Sequence, residues 1–95
     1  MGDQVQGEGD IWCEGTGESR DDPVVIHGAT DDIVGIAAQF HWLEQTFGQK
    51  DWDWRLIFQA HGYHGDRSID TVHVELRDGS ERTIYFDNTE SFGKY

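Results

Sequence analysis

Cysteine, proline and basic residues are all scarce in this chain of 95 residues. The one cysteine, Cys13, excludes an intramolecular disulfide, and a chain without that cross-link fits a reducing compartment. Proline occurs once beside 12 glycines, so the composition implies many turns without being of low complexity. Seven bases face 19 acids, a net charge of −12. A chain of that sign repels nucleic-acid phosphates and anionic membrane surfaces alike. The complementary partners are basic: a cationic protein face, a nucleic-acid-binding protein, or metal cations. No apolar run reaches the length of a membrane span. The start, MGDQVQGEGD, lacks a basic stretch followed by an apolar one, and Gln6 breaks the myristoylation pattern that Gly2 would begin. These features together lead to the expectation of a cytoplasmic protein.

Aromatic residues are what the chain has in quantity: four Trp, three Tyr and five Phe. Large rings bury much area per residue, which lets a single short domain build a core that would otherwise be thin. The acids are unevenly spread. Residues 1–22 carry seven acids and one base, a net −6, with five glycines and almost no apolar content besides Val5, Ile11, Trp12 and Cys13. That composition predicts a flexible acidic tail over 1–22 and a single domain over 23–95. Ile11 and Trp12 leave open a short edge strand at 10–14. On the tail reading, deleting residues 1–20 leaves the melting temperature nearly unchanged.

Pro23–Gly28, PVVIHG, is a β-branched run bounded by turn formers and predicts a strand. Thr30 reads as a helix N-cap, with Asp31 and Asp32 in the first turn. Ile33, Ile36, Ala37, Phe40, Leu43 and Phe47 recur at helical spacing up to Gly48, which predicts a helix over 31–47 with those residues facing the core. From Trp54 the period becomes two, with Trp54, Leu56, Phe58 and Ala60 on one face of a strand. A second alternating run covers 69–76, and Asp78–Gly79 turns it back into a strand at 83–87. The order β-α-β-β-β predicts an α+β fold: one amphipathic helix on a mainly antiparallel sheet of about four strands.

Three constellations bear on chemistry. His61, His64 and Asp66 form an H-x-x-H-x-D cluster that offers imidazole and carboxylate to a metal, but no spacing dictates the remaining ligands, and no cofactor is expected. No nucleophile elbow, P-loop, H-E-x-x-H or C-x-x-C is present, and pairings of His41, His61 or His73 with an acid arise by chance among so many carboxylates, so an enzyme is not expected. The segment Lys50–Trp54, KDWDW, alternates acid and indole, a pattern suited to meeting Arg or Lys beside an apolar pocket. Trp42, Trp52 and Tyr63 lie off the periodic core pattern and are the candidate exposed anchors, with Asp31, Asp32, Asp51, Asp53 and Asp66 as candidate contacts to a basic partner.

The function this pattern predicts is that of a small acidic protein that inhibits or neutralises a basic partner protein, of the immunity-protein or anti-defence type, bacterial or phage. A nucleic-acid mimic that blocks a DNA-binding protein such as a CRISPR effector is the alternative, and a metal-binding or homodimeric accessory protein another. The homodimer would pair through an edge strand at Val24–His27 or Thr83–Asp87.

Overall fold

The computed structural model describes residues 11–93 of the chain. Its elements are β1 (Trp12–Glu14), β2 (Val24–His27), α1 (Asp32–Phe47), β3 (Trp54–His64), β4 (Arg67–Leu76) and β5 (Glu81–Asp87). They form one helix and a mixed five-stranded sheet in the order β1-β2-β5-β4-β3. β2 and β5 run parallel; every other neighbouring pair is antiparallel. Val24, Ile26, Leu43, Trp54, Val72, Val74, Ile84 and Phe86 meet in the core between helix and sheet. No helix among the described residues is long and apolar enough to cross a membrane.

Four expectations need correction. The first concerns the tail. Its residues 1–10 lie outside the described part, but residues 12–14 pair with β2 as the short edge strand left open at 10–14, so the sheet has five strands, close to the four or so expected. The loop that follows is also built in. Gly17 is buried, and its carbonyl accepts from Tyr85 N at 2.9 Å, extending the ladder beside β5 where β2 has not yet begun. Thr16 closes the loop by donating its hydroxyl to Asp22 at 2.7 Å. Backbone pairing, which composition does not register, is what orders this acidic segment.

The second is the helix N-cap. Asp31, not Thr30, adopts the extended cap conformation and accepts from Val34 N at 2.9 Å. The helix ends as expected, with Gly48 N donating to the Glu44 carbonyl.

The third is the face that the helix buries. Gly35, Gln39 and Leu43 are its buried residues, while Ile33 is 80% exposed and Ile36 is exposed as well. The helix is rolled by roughly one residue, ~100°, from the stripe its apolar residues suggest. Two contacts account for this. Gly35 lies so close to Ser91 that a Cβ there would stand 2.4 Å from its hydroxyl. Gln39 donates to Asp70 at 2.7 Å.

The fourth is the sheet edges. Val24–His27 and Thr83–Asp87 are both interior, and the edges are β1 and β3. A homodimer through either of the expected strands is therefore closed off.

The short strand β1 is fastened by His27. Its Nε2 faces Glu14 and its Nδ1 faces Glu90, each at 2.7 Å, and the Trp12 ring stacks on the imidazole at 4.2 Å. Two carboxylates on two ring nitrogens call for a proton on each. Burial works against that charge, but the two carboxylates outweigh it and raise the His27 pKa above its ordinary value. The folded state thus holds its proton to higher pH than the unfolded chain. The contribution of His27 is complete below about pH 6.5, the unfolded value, and fades as pH rises through the folded one. We expect urea-unfolding stability to fall between about pH 6 and pH 9 by more in the wild type than in His27→Gln; equal slopes would show that His27 is not the charged clamp.

Gly17 supplies a second prediction. It has φ +80, and a Cβ there would lie 2.9 Å from both Ile84 Cγ2 and Val24 Cγ2. Gly17→Ala should cost roughly 1–3 kcal/mol in chemical denaturation, where a loose tail would lose nothing.

Candidate functional site

Strand β3 is the long edge of the sheet, 11 residues against three in β1. On one side it pairs with β4 along its whole length. On the other, Asp51 N donates to the Trp54 carbonyl at 2.6 Å, and beyond that point no described strand lies alongside. The stretch 54–65 contains no acid, only Arg55, His61 and His64 as titratable cations or near-cations, in a chain of net charge −12.

A bulge sets what this edge displays. The pairing register shifts between Leu56 and Phe58, leaving Ile57 as the extra residue. A shift of one residue inverts every side chain that follows. Before the bulge, Trp54 and Leu56 face the helix. After it, Phe58 stands opposite His73 and Ala60 opposite Thr71 on the open face, while Gln59, His61 and Tyr63 turn to the helix side. The expected single apolar face from Trp54 to Ala60 is thus broken in two. Phe58 is half-exposed and stacked on His73, with ring centroids 5.2 Å apart.

At the start of β3 the KDWDW segment is a turn, not an extended ribbon. Trp54 is 2% exposed and its indole N–H donates to the Gly48 carbonyl at 2.8 Å, closing the helix C-terminus. Trp52 is left outside at 68% exposure, with the Arg77 guanidinium 5.9 Å over its ring. Asp53 accepts from Gln49 N at 2.7 Å and faces Arg77, so it holds the turn together. Asp51 pairs with Lys50.

At the far end, the turn 88–93 comes over the helix side of β3. Asn88 N donates to the Ser68 carbonyl, Gly93 N donates to Asp32, and the Phe92 ring stacks on His61 at 4.2 Å. Tyr63, 64% exposed, meets both rings edge-on. Beneath them runs a chain of hydrogen bonds. His61 Nε2 donates to Ser68 Oγ (2.7 Å), Ser68 to Asn88 Oδ1 (2.6 Å), and Asn88 Nδ2 to Asp70 (2.8 Å). With the Ser68 proton directed at Asn88, His61 acts here as donor, and buried Ser68 is not set up as a nucleophile.

Among the residues predicted from sequence, Trp52 and Tyr63 are exposed and sit at opposite ends of β3. Trp42 is half-buried, packed edge-on against Phe86 and Phe47, and serves the core. Asp31 caps the helix and Asp32 holds the C-terminal turn. Asp66 is exposed in the β3–β4 turn. The candidate ligands His61 and His64 are three residues apart on a strand, which puts them on opposite faces. His61 bonds to Ser68 and His64 to Asp21, and no group of three or more metal-ligand residues occurs among the described residues. Cys13 sits half-buried in β1, where desolvation raises its thiol pKa and keeps it protonated. Asp87 is buried. Desolvation would raise its pKa, yet Thr89 and Arg67 hold it below the usual carboxylate range.

Phe58 and Phe92 escape a reading of the sequence as site residues, because the first depends on a bulge and the second on a long-range turn. A second apolar surface lies between β1 and the helix, a groove of about 780 Å³ bordered by Trp12, Ile33, Ala37 and His41. The chain matches no protein-family model, no curated protein and no solved structure.

Proposed function

We propose that this chain is a small acidic binding protein that neutralises a cationic partner protein, as an immunity protein or a phage anti-defence inhibitor does, by accepting an extended segment of that partner along β3. One observation carries the reading: an 11-residue edge strand that, beyond Trp54, has no strand of the described residues along its outer side, bordered by the exposed rings of Trp52, Phe58 and Tyr63. Soluble proteins usually protect long edges with charge, proline or a covering element. Here acids are missing from the edge itself and present at its two ends, in Asp51 at one and, at the other, in Asp66 of the β3–β4 turn and Asp21, which pairs with His64. Backbone pairing would give the partner its register, and the rings would anchor it. Trp52 and Tyr63 flank a strand about 35 Å long, so an elongated ligand fits them better than a compact one. The overall negative charge speeds encounter with a basic partner.

A mimic of nucleic acid needs a row of unengaged carboxylates, and Asp31, Asp53, Asp70 and Asp87 are each held by internal donors. A second copy on β3 would bring −12 against −12.

The test is affinity purification of the tagged chain from its native host at low salt, followed by reconstitution of the purified pair. A cationic protein at one-to-one stoichiometry is expected. Phe58→Ala with Tyr63→Ala should weaken it at least tenfold, since each ring is an anchor worth on the order of 1 kcal/mol or more. Partners that are not cationic, full affinity in the double variant, or a dimer joined through β3 would each overturn the proposal.

A further inference from the structure

The far end of β3 borders a groove of about 340 Å³ on the helix side, lined by Asp32, Ile36, Gln59, His61, Asp70 and Phe92. Its chemistry is lopsided. Asp70 Oδ2 accepts from both Gln39 Nε2 and Asn88 Nδ2, which leaves Oδ1 open. Asp32 Oδ1 accepts from Gly93 N, which leaves Oδ2 open. Gln39, bound to Asp70 through its nitrogen, has its own oxygen buried with no donor, the one such side-chain atom among the described residues. None of the six bases in the described residues pairs with Asp32 or Asp70. The groove therefore presents two carboxylate oxygens without donors, has no lysine or arginine among its lining residues, and is walled by the Phe92–His61 stack.

We infer that this groove is the seat of one arginine side chain presented by the partner, its guanidinium between the Asp32 and Asp70 carboxylates and against the Phe92 ring. The inference rests on the strand-pairing function proposed above, because a segment laid along β3 would pass Gln59 and His61 and carry its side chains into the groove. Guanidinium matches the site in three respects. It is donor-only with five N–H groups, it forks to meet carboxylates, and its flat face stacks on aromatic rings. A carboxylate or phosphate ligand would meet two like charges there. Lysine would supply three donors from a point charge and no flat face. The bulge at Ile57 is what brings His61 to this side, so edge and groove come from the same irregularity.

The experiment is a ¹⁵N–¹H titration of the full chain with N-acetyl-arginine methylamide, and in parallel with the citrulline analogue, which keeps the shape and loses the charge. Saturable shifts centred on Asp32, His61, Asp70 and Phe92 are expected with arginine and not with citrulline. Asp70→Asn, whose side-chain oxygen still accepts from Gln39 and Asn88, should weaken binding about tenfold. Asp32→Asn should do likewise, and serves if Asp70→Asn fails to fold. No saturable shift at the groove, an equal response to citrulline, or unchanged affinity in a folded variant would overturn the assignment. A partner that pairs along β3 while the groove ignores arginine would overturn the groove alone. A groove that takes arginine while β3 takes no partner would leave the groove standing and overturn the proposed function.

Discussion

One half-buried carboxylate, Asp70, sets the arrangement of the helix and of the chain end. It faces the helix side from the middle of β4 and gathers the amides of Gln39 and Asn88 onto a single oxygen. The first bond sets how the helix is rolled. The second anchors the turn that follows β5, with Asn88 N on the Ser68 carbonyl and Ser68 N on Thr89. Hydrogen bonds to a charged group contribute about 1.5–3 kcal/mol each, but burying the carboxylate offsets much of that. Its main effect is on specificity: the Gln39–Asp70 bond favours this roll of the helix over the one its apolar stripe suggests.

The cost of that choice shows on the surface. A helix that brings glycine and glutamine to its buried face must leave isoleucines outside, and Ile33 and Ile36 are indeed exposed. The buried polar residues Gln39, Ser68, Asn88 and Ser91 gather at the groove end of the sheet, while Trp54, Val74 and Leu43 make the other end apolar. The molecule has a dry end that stabilises it and a polar end whose shape depends on directional bonds.

This division explains what could be read from the sequence. The helix over 31–47, the strand at 24–27, the Asp78–Gly79 hairpin and the core position of Trp54 follow from local spacing, and they appear with small shifts in their limits. The exposure of Trp52 was also legible, since it falls just outside the periodic run. The helix face was not, because apolar periodicity cannot weigh a Gln39–Asp70 bond spanning 31 positions. Phe58 and Ala60 were misplaced because an inserted residue leaves no mark in an alternating pattern. The ordering of residues 12–17 came from backbone ladders, to which Gly- and acid-rich composition is blind.

The two borders of the sheet are unequal. One runs for 11 residues; the other, among the described residues, for three, with Trp12 folded over His27. Open-ended stacking of identical sheets requires a top and a bottom of comparable length, each able to receive the other. Such a lopsided platform breaks that chain of succession at its first step.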